Sequence, residues 1–328
     1  MPSLAEQIEL ACLLEATARK PGNVHPAAAF DNLCYDDFVT AAAVSAPLLA
    51  RTHECGIGRA VFDAVSATCA ATGTNVNLGM CLLLAPLAAG AARGLLWEDV
   101  RAALAASTVE DTDWIYRAIR LAQPGGLGTS TEQDVSQPPT LTIPAVMALA
   151  ADRDDVAREL ATGFQRLERD IMPFLISLLP PPLSKGGMGG GAAQNAAPNQ
   201  FTSPNPPLAG GAQEMPPWER AIILTHLKLI SEGDTLIRRK CGDTVCQEAA
   251  ERAHRVLTDC EASGRIDGSI LREFDGWLRA DGHRRNPGTS ADLLAAALFV
   301  ALHERLIDAP TRDQLGTRAD HISRGACR

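Results

Sequence analysis

Between Asp63 and Arg93 the chain carries no charged residue. Thr72-Gly73-Thr74-Asn75-Val76-Asn77-Leu78-Gly79 is polar and turn-forming, and the segment from Met80 to Ala89 that follows is apolar on every side. A helix apolar all round has no face to give to water, so it belongs at the centre of a large core or in a bilayer. The apolar run Met80 to Ala92 is about 13 residues and contains Pro86, well short of the roughly 20 that a bilayer crossing needs. The expectation is therefore a buried central helix wrapped by others. Its amino end offers Thr and Asn caps and unpaired backbone N–H groups. Facing a cavity, such an end receives an anion; ordinary capping is the plainer alternative.

Aromatic residues make up only 4% of the chain while hydrophobic ones reach 46%, so the core has to be built from Leu, Ala, Ile and Val, which with frequent Glu and Arg favour helices. No alternating run marks a strand, and the expected fold is all-α, a single multi-helix domain over 1–328. A net charge of −9 argues against a nucleic-acid binder, which normally carries a basic stripe. It leaves a nucleotide ligand open. The nine cysteines are dispersed, and Cys241 and Cys246 have no second pair to complete a zinc site. With no secretory signal, they fit a reducing, cytoplasmic setting without membrane association.

Ser3-Leu4-Ala5-Glu6 is a capping-box pattern that opens a first helix, ending before Pro21-Gly22. Lys20, Asn23 and His25 then surround a rigid Pro-Gly turn, able either to present charge to a ligand or to cap the preceding helix. Asp36 and Asp37 open a second helix running to about Arg51, Gly58 to Ala71 reads as a third, and Trp97 to Ala106 as a short fifth after the central one. Glu110, Asp111 and Asp113 crowd the start of a sixth, with Arg117 and Arg120 as ready partners. Pro124-Gly125-Gly126-Leu127-Gly128 breaks that helix and leads into Glu132 and Asp134, which suit Mg²⁺ or proton transfer but form no Rossmann or Walker motif.

Helical periodicity resumes from Ile143 to Leu179, with Gly163 and Pro173 as candidate breaks. Residues 180–217 are Gly/Pro-rich and read as a flexible insertion. Beyond them come a helix over Trp218 to Ile230, the acid Asp234 followed by Arg238, Arg239 and Lys240, and helices over Thr244 to Cys260 and Leu271 to Ala280. Asn286-Pro287-Gly288-Thr289-Ser290-Ala291-Asp292 then introduces a second strongly apolar helix, Leu293 to Leu306, with Thr289 or Ser290 as its cap. Two apolar helices some 200 residues apart thus share one design.

Lys20-Pro21-Gly22-Asn23-Val24, Thr74-Asn75-Val76-Asn77-Leu78-Gly79, Asp234-Thr235-Leu236-Ile237 and Pro287-Gly288-Thr289-Ser290-Ala291-Asp292-Leu293-Leu294-Ala295, in this order, resemble the triphosphoribosyl-dephospho-CoA synthases. The likeness spans nearly the whole chain apart from the insertion, while Pro124 to Val135 looks like a divergent branch. It implies that ATP and 3′-dephospho-CoA yield the 2′-triphosphoribosyl derivative, a prosthetic-group precursor, and free adenine. Such a site must hold a polyphosphate, stabilise an oxocarbenium-like ribose, deprotonate a hydroxyl and protonate a base.

On that resemblance Lys20, Asn23, His25, Lys240 and the amino ends at Thr74, Asn75, Asn77 and at Gly288, Thr289, Ser290 would bind phosphate. Asp36, Asp37, Glu132 and Asp134 would supply the catalytic acids, and Glu110, Asp113, Asp234 and Asp292 the ligands of Mg²⁺. A homodimer is the candidate assembly. Two rivals stand beside this reading: another Mg²⁺-dependent nucleotide enzyme (an N-glycosidase or hydrolase) on the same scaffold, and a non-catalytic helical binding protein.

Overall fold

The computed structural model describes residues 2–94, 96–126, 128, 130–180, 215–307 and Leu315. The Gly/Pro-rich insertion expected over 180–217 falls almost wholly outside the described residues. Those residues form fifteen α-helices and no strand, so the fold is all-α. They are α1 (Leu4–Thr17), α2 (Tyr35–Leu49), α3 (Thr52–Cys55), α4 (Ile57–Thr72), α5 (Leu78–Ala91), α6 (Leu96–Ala105), α7 (Val109–Ala122), α8 (Ile143–Ala148), α9 (Asp155–Thr162), α10 (Met172–Leu178), α11 (Pro217–Ser231), α12 (Thr235–Cys241), α13 (Asp243–Ser263), α14 (Gly268–Arg279) and α15 (Gly288–His303).

The uncharged stretch becomes α5, in which every residue except Gly79 is buried. It packs against α4, α6 and α15, and α15 in turn against α1 and α11. Leu83, Leu84 and Leu87 are wholly inaccessible, each worth about 1.5–3 kcal/mol of burial. Among the described residues no single helix is long and apolar enough to cross a membrane. Only α5 and α6 taken together pass on length and composition, and they meet at 115°.

The periodic segment 143–179 is not one helix. Leu149 closes α8, and Asp154 caps α9, its Oδ1 accepting from Ala157 N at 3.1 Å. Gly163, at φ +66°, then terminates α9, and a π-helical turn over Leu167–Ile171 leads into α10. The segment after Gly233, to which the sequence assigned no element, forms a short helix, α12, which Asp234 caps through Leu236 N and Ile237 N.

Twice, one carboxylate serves the amino ends of two helices. Asp111 completes the capping box of α7 with Thr108 and also accepts from Gly58 N of α4 at 3.0 Å. The two helices approach so closely that a Cβ on Gly58 would lie 2.0 Å from the Asp111 carbonyl oxygen. Asp234 likewise caps α12 with Oδ1 and holds the start of α15 with Oδ2, accepting from Ser290 N and Ser290 Oγ at 2.8 Å each. The side chains expected to cap α15, Thr289 or Ser290, therefore do not; the cap comes from another helix.

Candidate active site

The amino ends of α5 and α15 open on one side of a cleft of about 980 Å³. Asn75 Oδ1 caps α5 by accepting from Leu78 N at 3.1 Å, and Thr74 and Asn75 both line the cleft. Asn77 does not. It is buried, its Nδ2 reaching Ser45 Oγ at 3.3 Å, because it sits where α5 enters the core. On α15, Gly288 and Thr289 line the cleft while Ser290 is committed to Asp234.

Asp292 lies between these two helix starts. A Cβ on Gly79 would stand 2.0 Å from its Oδ2, so only glycine lets α5 approach this carboxylate. No hydrogen bond or ion pair holds Asp292 among the described residues. Burial, with the negative charges of Glu15, Asp234 and Asp154 around it, pushes its carboxyl well above the usual range.

Lys240 lines the same cleft, and burial together with neighbouring Arg239 lowers its ammonium below the ordinary lysine value. Arg239 is anchored by Asp154 at 2.7 Å, and Arg238 and Arg153 line the cleft beside it. Asp234, cast as a ligand of Mg²⁺, and Lys240, cast as a phosphate binder, have separate tasks in the structure. Asp234 is 1% exposed with both oxygens engaged in caps, a poor metal ligand, whereas Lys240 faces the cavity.

Lys20 is placed differently from its expected role. It is wholly buried, paired with Glu15 Oε1 at 2.9 Å and donating also to the Glu15 carbonyl, and it does not line the cleft. Glu15 does. Burial raises the Glu15 carboxyl, and the Lys20 charge opposes that rise. The surrounding loop is clamped from several helices. His226 Nε2 donates to Pro21 O at 3.3 Å, Asp275 Oδ1 accepts from Gly22 N at 2.8 Å, and Asn23 Nδ2 reaches Asn286 Oδ1 at 3.0 Å. Asn23 lines the cleft and its Oδ1 is buried without a partner. His25 stays off the cleft lining, and burial together with the Arg279 charge lowers its imidazole to about 4, so near neutral pH it is uncharged and brings no cation to phosphate.

Of the four acids cast as catalytic, Asp36 and Asp37 lie at the start of α2 away from the cleft lining, and Asp37 Oδ2 accepts from Cys34 N at 2.8 Å. Glu132 and Asp134 both line the cleft. Asp134 accepts from Ser130 N, Ser136 N and Ser136 Oγ, which lower its carboxyl to about 2 and make it a weak base. Glu132 is exposed, and its carboxylate has no partner among the described residues, although its carbonyl accepts from Ser130 Oγ at 2.7 Å. Glu110 lies in a separate surface depression with Trp114 and Arg59, and Asp113 pairs with Arg117 at 2.6 Å. Neither reaches the main cleft. Among the described residues no three His, Cys, Asp or Glu side chains gather to hold a metal by themselves.

The sequence reading missed Glu15, Arg153 and Asp154 as cleft residues. The cluster Asp152-Arg153-Asp154-Asp155, abruptly charged after an uncharged run from Pro138 to Ala151, was the available signal.

With this geometry in hand, the chain matches the family model described as ATP:dephospho-CoA triphosphoribosyl transferase over residues 1–182 and 192–311. The chain belongs to this family. The matched span breaks only over 183–191, so the family likeness continues into the 180–217 segment. As a transferase of this family it moves the triphosphoribosyl group of ATP to dephospho-CoA. A crystal structure from Archaeoglobus fulgidus, solved as that of a proposed triphosphoribosyl-dephospho-CoA synthase, is similar at 24% identity with a TM-score of 0.56. The match covers 80% of this chain and 97% of that one. At that identity the likeness speaks for the fold. No curated protein matches the chain.

Proposed function

We propose that the transfer takes place in the cleft between the amino ends of α5 and α15, with the triphosphate facing Lys240, Arg239 and Arg238. The observation that carries this reading is Asp292, an unpartnered carboxylate set between two helix starts with cations on α12 lining the same cavity. Helix amino ends and guanidinium or ammonium groups are the means proteins use to hold polyphosphate. Thr289 N–H has no partner among the described residues and lines the cavity, which suits a phosphate oxygen.

Mg²⁺ fits this donor set, because it is usually held by one or two carboxylates with the remaining positions filled by phosphate and water rather than by a protein cage. Asp292 would hold it together with the triphosphate, and the ion would supply neutralisation of phosphate charge. A cation brought to Asp292 opposes the burial and the neighbouring negative charges that raise this carboxyl.

In the transfer the bond from ribose C1′ to the adenine nitrogen breaks and a bond from C1′ to the acceptor oxygen, the 2′-hydroxyl of dephospho-CoA, forms. The hydroxyl proton leaves the acceptor and one proton is taken up by the departing base, so the reaction balances without a redox partner. Glu132 is an exposed acid of the cleft whose carboxylate has no partner among the described residues, and we assign it the role of base toward the hydroxyl. Asp134 instead shapes the loop that carries Glu132. Glu15, paired with Lys20, brings a carboxyl group to the cavity wall, the kind of group that attends an oxocarbenium-like ribose.

Asp292→Asn tests the reading. Adenine release from ATP in the presence of dephospho-CoA should fall about 100-fold or more, a few kcal/mol of transition-state stabilisation, while the variant remains folded. Activity within a few-fold of the parent would remove Asp292 from the site.

A further inference from the structure

Beside its charged residues the cleft has an uncharged stretch of lining. From Pro138 to Ala151 the chain contains no Asp, Glu, Lys or Arg, and α8 with the turn after it contributes Val146, Met147, Leu149 and Ala150 to the cavity. Ile119 and Ala122 of α7, which packs on α8, continue this surface. Val146 is buried and Met147 half-buried, but Leu149 is 40% exposed and is among the few large hydrophobic side chains left open to solvent in the described residues. Leu149 closes α8 as its C-cap, with Arg153 and Asp154 a few residues on, so the apolar wall runs directly into the charged part of the cleft.

Leu149 is the exposed member of this aliphatic lining, and it stands in the cleft, where a bound ligand covers it. The transfer reaction itself supplies an occupant of matching chemistry. ATP is charged along its whole triphosphate and suits the α12 side. The acceptor is a nucleotide joined to a long neutral arm of aliphatic carbon, two amides and a thiol. That arm finds no counter-charge to seek and fits an aliphatic wall lined with flexible Met and Leu side chains.

We propose that the wall formed by Val146, Met147 and Leu149 with Ile119 and Ala122 is the subsite for the pantetheine arm of dephospho-CoA, and that it sets acceptor specificity. This rests on the transfer reading of the same cleft. Binding of dephospho-CoA and of ADP, which is the same nucleotide without the arm, is measured by calorimetry in the parent, in Leu149→Asp and in Met147→Gln. Leu149 is exposed, so its substitution leaves folding intact, and thermal melting of both variants checks that directly.

The expected result is that the parent binds dephospho-CoA at least about tenfold more tightly than ADP, as a well-placed apolar contact gives. Leu149→Asp should remove most of that advantage, Met147→Gln part of it, and neither should move ADP or ATP affinity by more than about twofold. Equal affinity of the parent for dephospho-CoA and ADP would overturn the subsite, as would an equal loss for both ligands in the variants. Adenine release is followed separately. Arm-dependent binding with no acceptor-dependent release would leave the subsite standing and overturn the transfer reading instead.

Discussion

Replacing Lys20 by Met separates a ligand-binding lysine from one that sustains the fold. Lys20 and Glu15 are 0% and 3% exposed at their side chains and stand 2.9 Å apart. At an effective dielectric of about 20 their attraction is about 6 kcal/mol, much of it offset by the cost of taking both charges out of water. Removing only the cation keeps that cost for Glu15 and loses the attraction. The expected destabilisation is about 3–5 kcal/mol, the range for breaking a buried pair, read from urea unfolding at pH 7. It should depend on pH with a definite sign. Burial already raises the Glu15 carboxyl, and loss of Lys20 raises it further, so the folded variant binds more protons than its unfolded chain above the usual carboxylate range. The penalty therefore grows as pH rises and shrinks at pH near 4. The double variant Lys20→Met with Glu15→Gln should recover most of the loss. A Lys20→Met protein with unchanged stability and a large rise in KM for ATP would refute the placement and return Lys20 to the phosphate.

Other consequences are open to direct measurement. Binding of Mg²⁺ and ATP should release a proton from Asp292, whose carboxyl is pushed well above the usual range; calorimetry in buffers of different ionisation enthalpy should show it in the parent and lose it in Asp292→Asn. Asp234→Ala removes the caps of α12 and α15 together and should lower stability by about 2 kcal/mol or more, measured by chemical unfolding, with Ser290→Ala costing less. Leu83→Ala at the centre of α5 should cost about 2–5 kcal/mol by the same measurement. Burial lowers His226 to about 3, so its folded form resists protonation and stability should be lost as pH falls from the ordinary imidazole value of 6.5 toward 3; His226→Gln should flatten that slope.

The helices were legible where one physical signal dominates. The missing charge from Asp63 to Arg93 places α5 in the core, and Ser3 with Glu6 marks the start of α1. Periodicity overran the break at Asp154, because the buried faces of α8 and α9 stay in phase along the sequence while a cap separates them in space. Gly163 was legible as a break and does end α9, whereas Pro173 sits in the first turn of α10 and breaks nothing. Periodicity also passed over α12, whose seven residues are too few to show a period. For the site, the polar starts of α5 and α15, the loop of Glu132 and Lys240 do converge on one cleft. Local sequence could not tell which charged residues turn inward. Lys20 looks like a phosphate ligand until Glu15, five residues back on α1, is seen to bury it. Asp234 looks like a metal ligand until its two oxygens are found to hold two helices. Glu110 and Asp113 belong to the α4–α7 side, where Asp111 alone carries the shared cap.

The most direct test of the central claim is the stoichiometry of adenine release from ATP by the purified protein, with and without dephospho-CoA, paired with the mass of the product. One adenine should appear for each dephospho-CoA consumed, the product should carry the added triphosphoribosyl group, and release should stop when the acceptor is omitted. Adenine release that proceeds equally without dephospho-CoA, leaving free triphosphoribose, would contradict the account and make water the acceptor in this cleft.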